Sequence, residues 1–322
     1  MMWLTWRQHR KQALFTAIGL AALAAFVIPT GLAMRHTYTD LGLPDCARDA
    51  SEFSEACNQA FNQFNDRYNT LLLAGILFLV LPLMVGLFWG APLVTREVEQ
   101  GTHRFVWTQG VSRKRWALVK FASVGAVTLA AAVAYGLGVS WWQEPLTNPN
   151  GNSRFGFLFF DMQGVAPVGY TLFAVALGIF AGTVWPRMLP AMAATLAGFA
   201  GLRIGLTVLA RPRYMPAREV SDPLVGAGGQ PYENAGGWVL AHGIRNASGE
   251  MVASGVQVRC PEGVTGPDGR QCGAEFGPGA YNWMLYHPAD RFWPFQYIEA
   301  GIFTALAVLL LLLAIWRVRR IA

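Results

Sequence analysis

The sequence predicts an all-α polytopic membrane protein. We expect six transmembrane helices, both termini in the cytoplasm, and a small external, partly β subdomain before the last helix. Apolar residues make up 53% of the 322 residues and charged residues only 14%, against about 25% in soluble domains. The apolar residues are gathered into six long runs, and many of the basic residues lie in short segments between them.

Each apolar run is close to the roughly 20 residues that a helix needs to cross a bilayer. Helices are expected because lipid offers no hydrogen-bond partner to an open backbone. Spans 1 to 6 are predicted at Ala13–Ala33, Leu71–Leu93, Ala117–Trp141, Val165–Trp185, Leu189–Ala210 and Ile298–Trp316. Span 1 also resembles a cleaved signal peptide, but it exceeds the roughly 7–15 apolar residues of one, so we expect a retained anchor.

The basic residues predict the orientation. Short cytoplasmic loops of membrane proteins carry an excess of Lys and Arg. With the N-terminus inside, thirteen of the 25 Lys and Arg residues fall on short inside segments, with only two acids, Glu97 and Glu99. The thirteen are Arg7, Arg10, Lys11, Arg96, Arg104, Arg113, Lys114, Arg115, Lys120, Arg187, Arg317, Arg319 and Arg320. The inverted orientation would place all of these segments outside.

The four cysteines lie in two segments that this orientation places outside. Disulfides persist outside the cytosol, and the cysteine spacings match no zinc pattern. Four cysteines allow three pairings. The local one, Cys46–Cys57 with Cys260–Cys272, needs the least chain closure and is the pairing we predict. Four free thiols or a metal site are the alternatives.

The runs and loops predict a domain organisation. An interfacial helix precedes spans 1–5, a subdomain follows them, and the last span carries a basic tail. Tryptophans beside cations favour the interfacial position of the first segment. Within the subdomain, Gly237–Val258 is typical of a β-hairpin. The predicted bounds are 1–12, 13–210 with an external helical loop at 35–70 and a cytoplasmic loop at 94–116, 211–297, and 298–322.

Three local patterns concern helix packing. Gly178-x-x-x-Gly182 and Gly201-x-x-x-Gly205 place small residues one turn apart, which favours close helix contact. Glycine-rich membrane helices without such contact are the alternative. Pro82 predicts a kink in span 2, either a hinge or a tolerated bend. The aromatic run Phe155–Phe160 is too short to span and predicts an interfacial or re-entrant piece.

The sequence offers no catalytic residues and no metal site. It lacks the phosphate-loop pattern G-x-x-x-x-G-K-[ST] and the zinc pattern H-E-x-x-H, and its five histidines are scattered. No ATP site is recognisable on this chain. Active transport would therefore need a separate motor.

The loop at 94–116 is predicted to contain a short helix. Gly101 breaks the preceding helix, Thr102 can cap a new one, and Ser112 can cap span 3. Phe105 and Trp107 would give the short helix an apolar surface within a basic collar. Such a surface suits a pocket on a partner protein, or it anchors the loop to the membrane. The residues alone leave both open.

Two charged residues lie within or at the edge of apolar runs. Arg203 is inside span 5, and Glu299 opens span 6. A charge at membrane depth is costly and points to function. We considered three roles: the cargo path or a gate, together with Pro82; a pair between Arg203 and Glu299; and snorkelling of Arg203 to water.

Three stretches carry a family resemblance: Trp3–Arg10, Arg96–Trp116 and Pro288–Gln296. With the six-span layout, the chain resembles permease subunits of ABC-2-type ATP-binding-cassette exporters, most closely actinobacterial ones. The resemblance implies that the first segment is an interfacial elbow helix. It also implies that the 94–116 loop carries a coupling helix seated in an ATPase cleft. The coupling residues would be Glu97, Glu99, Thr102, His103, Arg104, Phe105 and Trp107.

The same resemblance implies the partners. These are two ATPase subunits carrying ATP-Mg and a second permease copy, identical or a close paralogue, within the lipid bilayer of the cell membrane. No enzyme activity, cofactor or nucleic-acid partner is expected for this chain. The segment 211–296 is longer than in minimal ABC-2 permeases. A non-transporting immunity or sensor protein is the first alternative, and an ion-coupled secondary transporter is the second.

Overall fold

The computed structural model describes residues 2–48, 55–99, 112–147, 153–224, 236–258, 260 and 272–318. Within these ranges the chain is mainly helical, with one small antiparallel sheet before the last helix. This confirms the predicted helical fold with a small sheet before the last helix, and the cytoplasmic position of both termini stays a prediction. The helices are α1 (Met2–Asp40), α2 (Leu43–Arg48), α3 (Glu55–Tyr68), α4 (Leu71–Val85), α5 (Ala91–Glu99), α6 (Arg113–Gln143), α7 (Phe157–Phe160), α8 (Ala166–Val184), α9 (Met188–Gly205) and α10 (Phe292–Val318). The strands are β1 (Arg218–Pro223), β2 (Trp238–Arg245), β3 (Met251–Ser254) and β4 (Tyr281–His287).

Six helical stretches are long and apolar enough to cross a membrane, and each matches a predicted span. They are Ala17–Asp40, Gly75–Arg96, Arg115–Leu146, Ala166–Val184, Met188–Arg213 and Ala289–Val318. Helix α1 runs without interruption from the predicted interfacial segment into span 1. The chain is therefore a multi-pass membrane protein, as predicted.

Span 4 forms the centre of the bundle. In its most apolar window 72% of the residues are buried, against 11% in span 5 and 17% in span 1. Spans 2, 3, 5 and 6 all pack against span 4. A movement of any of these four spans relative to the others must therefore involve span 4.

Spans 2 and 4 approach each other backbone to backbone. A Cβ added at Gly178 would lie 2.6 Å from backbone atoms of Gly86 and Ala91, and one at Gly90 would lie 2.6 Å from the Val175 carbonyl. Only glycine allows this contact, so Gly178 provides the close packing predicted for its motif. At Gly201 and Gly205, by contrast, no described atom lies within 4 Å of an added Cβ.

Two spans contain a turn of π-helix. In span 2 it covers Gly86–Gly90, directly after the helix that contains Pro82. In span 5 it covers Leu206–Ala210 and leads into a 3₁₀ turn, Arg211–Arg213. A π turn inserts one residue into the helical register and is frequent at functional sites. It reorients the residues that follow, which in span 5 begin with Arg211.

The last four residues of the aromatic run before span 4 form α7, in which Phe159 and Phe160 are buried and Phe157 is exposed. Phe155 and Phe160 pack on Phe292 and Phe295 of α10 with ring centroids 5.5 to 5.8 Å apart. Because Phe155 and Phe160 are almost fully buried, the turn at α7 packs into the helical bundle, and its depth in the membrane stays a prediction.

Helices α2 and α3 cover one end of spans 1 and 3. The Cys46–Cys57 disulfide joins them, and Phe61, Phe64 and Tyr68 of α3 are buried. A second disulfide joins Cys260 and Cys272. Both predicted disulfides are thus confirmed, and their pairing is the local one.

The sheet has the strand order β1-β4-β2-β3, with every pair antiparallel. The β2–β3 hairpin is the one predicted from the sequence. Strand β4 lies in the centre and was not predicted, because its apolar residues do not alternate regularly. It ends at His287, next to the start of span 6, and so ties the sheet to the bundle.

Candidate functional site: a buried ionic cluster

Five polar side chains from four parts of the bundle meet in one buried cluster. Asp161 follows α7, Tyr170 lies on span 4, Arg203 and Arg211 belong to span 5, and Glu299 belongs to span 6. We call this group the ionic cluster. Its side chains are almost fully buried, from 0% exposed at Glu299 to 11% at Arg203.

Arg211 is the centre of the ionic cluster. Its Nε donates to Glu299 Oε2 at 2.8 Å, and its Nη2 donates to Glu299 Oε1 at 2.6 Å and to Asp161 Oδ1 at 2.6 Å. The two contacts with Glu299 form a bidentate pair, which is the strongest arrangement of these groups. One guanidinium therefore holds two carboxylates.

Tyr170 completes the hydrogen bonding of the carboxylates. Its hydroxyl is 2.6 Å from Glu299 Oε1 and 3.2 Å from Asp161 Oδ1. Its ring lies under Arg203, with the guanidinium carbon 3.8 Å from the ring centroid. Tyr170 thus contacts both acids through its hydroxyl and Arg203 through its ring.

Arg203 joins the ionic cluster less tightly than Arg211. Its Nη2 lies 2.9 Å from Asp161 Oδ2, but neither Nη1 nor Nη2 makes a well-oriented hydrogen bond among the described residues. The contact is an ion pair by distance only. Two arginines and two carboxylates balance, so the cluster is electrically neutral, as burial requires.

Gln296 positions the turn that carries Asp161. Its Oε1 accepts a hydrogen bond from the Ala166 amide, and its Nε2 donates to the Phe160 carbonyl, both at 2.8 Å. Gln296 and Glu299 are three residues apart and share one face of α10. One face of span 6 therefore holds both the turn after α7, through Gln296, and Arg211, through Glu299.

Arg203 and Glu299, the two charges predicted as functional, both belong to the ionic cluster. They do not pair with each other: Arg203 contacts Asp161, and Glu299 contacts Arg211. The Arg203 guanidinium contacts Asp161 and the Tyr170 ring inside the bundle. The side chain therefore does not extend to water, as snorkelling would require.

Sequence reasoning missed Asp161, Tyr170 and Arg211. Asp161 and Arg211 lie just beyond the ends of apolar runs, where a charge is ordinary. Two signals were present in the sequence: an acid directly after the aromatic run, and an arginine about two helical turns after Arg203.

Other predicted site residues lie elsewhere. Glu99 Oε1 accepts a hydrogen bond from the Met188 amide at 2.8 Å, which links the end of α5 to the first residue of α9. Ser112 caps α6, as predicted, by accepting from the Arg115 amide at 3.3 Å. Thr102, His103, Arg104, Phe105 and Trp107 lie outside the described residues, as does the side chain of Glu97. Pro82 lies in span 2 and makes none of the polar contacts of the ionic cluster.

His287 connects the sheet to the chain beside Arg211. Its Nε2 lies 3.1 Å from the Pro212 carbonyl, and its Nδ1 lies 3.1 Å from Arg291 Nη1. Because a carbonyl only accepts, Nε2 carries the proton and Nδ1 accepts from Arg291. Burial lowers the pKa of His287; the hydrogen bond to the Pro212 carbonyl raises it and the nearby Arg291 lowers it, so that the net shift is downward. The contact with Arg291 thus requires a neutral imidazole.

The described residues contain no group of three or more His, Cys, Asp or Glu side chains that could hold a metal ion. Each acid of the ionic cluster is instead neutralised by an arginine. The ion pairs can hold the helices together, and breaking these pairs would allow the helices to separate.

Comparison with known protein families assigns the chain. The family model described as ABC-2 membrane transporter related matches residues 17–211, which is more than half of the chain. The chain belongs to the ABC-2 membrane transporter related family. No curated protein and no solved structure shows significant similarity to it.

This ABC-2 family member is therefore a membrane permease component of an ABC transporter. Such permeases are transport components rather than catalysts and generally work with an ABC ATPase. The matched region covers spans 1–5 and ends at Arg211. It includes four residues of the ionic cluster; the fifth, Glu299, lies on span 6.

Proposed function

We propose that this ABC-2 permease is the membrane subunit of an ATP-driven exporter and takes its energy from a separate ATPase. The family match over spans 1–5 carries this proposal. The lack of a phosphate-loop motif in the sequence agrees with it, because ATP must then be hydrolysed on another chain.

The 94–116 loop is the proposed contact with the ATPase. Both of its ends are helical, since α5, which continues span 2, ends at Glu99 and α6 begins at Arg113. Thr102, Arg104, Phe105 and Trp107 would form the docking surface. A push on this loop would move the end of α5, and the Glu99–Met188 hydrogen bond would pass that movement to the start of span 5.

Span 2 offers a route from the loop into the bundle. It continues from α5 through the π turn at Gly86–Gly90, which packs backbone to backbone on Gly178 of span 4. With their backbones this close, spans 2 and 4 cannot slide gradually past each other. We therefore expect spans 2 and 4 to move together as a rigid body.

The ionic cluster is proposed to latch the opposite end of the bundle. It joins the α7 turn to spans 4, 5 and 6, so these elements either move as one unit or separate by breaking the cluster. A buried charge without its partner is strongly destabilising, so separating these elements is unfavourable while the cluster stays buried. In this proposal Arg203 and Glu299 act as parts of the latch.

A second permease copy is proposed to complete the translocation path. Span 5 is the most exposed of the six spans, and it carries Gly201 and Gly205 with open space around them. Small residues on an exposed face allow another helix to come close. Two copies would recruit two ATPases.

The ion-coupled alternative has less support. It would need an acid at membrane depth that is free to bind and release a cation. In the described part of the chain, two acids of the bundle are buried, Glu299 in span 6 and Asp161 after α7. Each of them is paired with an arginine.

The coupling role of the loop is testable by ATP hydrolysis. In liposomes containing the permease and its ATPase, Trp107→Ala should lower the ATPase rate severalfold, because the apolar part of the docking surface is lost. Trp185→Ala is the matched control: this exposed tryptophan lies on the same predicted side but outside the loop. Equal rates for wild type and Trp107→Ala would refute the assignment.

A further inference from the structure

A set of hydrogen bonds around His287 fastens the sheet to the neighbouring ends of spans 5 and 6. His287 is the last residue of β4, and its Nε2 donates to the Pro212 carbonyl at 3.1 Å. Its Nδ1 accepts from Arg291 Nη1 at 3.1 Å, and the same Nη1 also donates to the Pro216 carbonyl. We call these contacts the histidine bridge. They join β4, the turn before α10 and the segment 212–216, which leads from span 5 into β1.

The imidazole at the centre of the histidine bridge is fully buried. Its ring centroid lies 4.8 Å from that of Phe295 on α10 and 5.7 Å from that of Trp238, its pairing partner on β2. Neither of these rings carries a charge. A charged imidazole is unfavourable in such surroundings unless a partner compensates it.

A second proton on His287 is incompatible with the histidine bridge. A neutral imidazole has one donor nitrogen and one acceptor, whereas a protonated imidazole has two donors. Nε2 already carries a proton, so the new one can enter only at Nδ1. There it faces the Arg291 guanidinium, which is also a donor and is positively charged. Arg291 Nη1 must then move away, and its hydrogen bond to the Pro216 carbonyl is lost with the contact to His287.

The charged groups around His287 do not compensate a proton. Arg291 faces the ring directly, and in the described part of the chain no acid lies within ion-pair distance of it. Glu299, which lies one turn after Phe295 on α10, is already held by Arg211. The other charged groups on the surrounding elements are Arg213 beside Pro212, Arg218 and Glu219 on β1, and Asp290 beside Arg291.

A disulfide indicates which side of the membrane the histidine bridge faces. The Cys260 amide donates to the Leu224 carbonyl, directly after β1, at 2.8 Å, and Cys260 is bonded to Cys272. Disulfides persist outside the cytosol. The sheet and His287 are therefore expected to meet the pH of the external medium.

We propose that acidification of the external medium opens the histidine bridge and separates the sheet from the start of span 6. Neutral His287 keeps the bridge closed, and protonation at Nδ1 displaces Arg291. Because the pKa of His287 is lowered, the bridge stays closed at the ordinary value of about 6.5 and opens in more acidic medium. The segment that is released begins directly after Arg211, so opening also removes a constraint beside the ionic cluster. The proposal does not require the ATPase partner.

Distances between two spin labels test the proposal. The labels are attached to Val252→Cys on β3 and Leu309→Cys on span 6, two exposed positions. The native cysteines are paired in disulfides and take no label. The labelled full chain, diluted with unlabelled chain, is placed in nanodiscs and measured by double electron–electron resonance at about pH 7.5 and about pH 5.5. We expect the distance distribution to shift or broaden at the lower pH and to recover when the pH is raised again.

His287→Gln should abolish this response, because its carboxamide can donate to Pro212 and accept from Arg291 but does not titrate. Arg291→Gln should abolish it as well, since a carboxamide can donate to the neutral ring or accept from the protonated one. This second variant serves if the first does not fold. His242→Gln is the matched control, because His242 lies half-buried on β2 of the same sheet. It should respond like the wild type.

Three results would overturn the proposal. The first is an identical distance distribution at both pH values in the labelled wild type. The second is a full response in His287→Gln or Arg291→Gln. The third is a change that does not reverse when the pH is raised, because it would reflect unfolding rather than a switch.

Discussion

Arg211 holds two carboxylates that come from distant parts of the sequence, and this contact defines the candidate site at the scale of residues. Glu299, Asp161 and both arginines depend on one another for charge balance. A buried charge without a partner is far less stable than a neutral pair. The stability of the protein should therefore depend more on the charge balance of the cluster than on any single contact within it.

We predict that Glu299→Gln strongly destabilises the protein, by up to about 3–5 kcal/mol, because it leaves one buried positive charge unbalanced. Adding Arg211→Met should restore much of this loss, since a neutral Asp161–Arg203 pair remains. Melting temperatures in one detergent measure both effects. Glu144→Gln is the control, because Glu144 is 62% exposed in its pair with Arg35 and such pairs contribute at most about 1 kcal/mol. A double variant no more stable than Glu299→Gln would contradict charge balance.

His287 predicts a dependence of stability on pH. Its pKa in the folded protein is lowered by burial and by Arg291, so the unfolded chain binds the proton more readily. Stability is therefore complete above the ordinary pKa of about 6.5 and is lost as the pH falls below it. Between about pH 7.5 and about pH 5.5, the melting temperature should fall less in His287→Gln than in wild type. His242→Gln should behave like wild type, and an identical fall in all three would rule out this role for His287.

At the scale of elements, the contact between spans 2 and 4 is the closest backbone-to-backbone contact that glycines allow among the described residues of the bundle. We predict that Gly178→Ala costs about 1–3 kcal/mol, because the new methyl group would lie 2.6 Å from backbone atoms that cannot easily move. Gly201→Ala should change stability little, since open space surrounds it. Thermal unfolding compares the two variants. Equal effects would contradict the close packing of spans 2 and 4.

The sequence predicted correctly those elements that depend on a single local pattern. Long apolar runs located all six spans, the turn at 245–249 located the β2–β3 hairpin, and cysteine spacing predicted both disulfides. Strand β4 was missed because its apolar residues do not alternate regularly. Of the two glycine motifs, Gly178-x-x-x-Gly182 packs closely and Gly201-x-x-x-Gly205 does not within this chain, and spacing alone cannot distinguish them.

The ionic cluster shows where sequence reasoning ends. Arg203 and Glu299 attracted attention because each interrupts or borders an apolar run. Their true partners, Asp161 and Arg211, lie at the ends of runs and are brought inward by the α7 turn and by the π turn in span 5. Such tertiary rearrangements leave no periodic signal in the sequence.

At the scale of the whole molecule, the described ends of the 94–116 loop and the ionic cluster lie toward opposite ends of the bundle. Between them, span 4 packs against both span 2 and span 6. Movement imposed at the loop would reach the cluster through the glycine contact and through span 5. This arrangement is useful only if another protein pushes on the loop.

Copurification from native membranes tests this central claim most directly. The full chain, tagged at one terminus, is purified in mild detergent, and its partners are identified by mass spectrometry. We expect an ATP-binding-cassette ATPase to copurify with wild type and with Trp185→Ala. Trp107→Ala combined with Arg104→Ala should release it while the permease still inserts. The absence of any such ATPase from the wild-type preparation, or its retention by the double variant, would contradict the account.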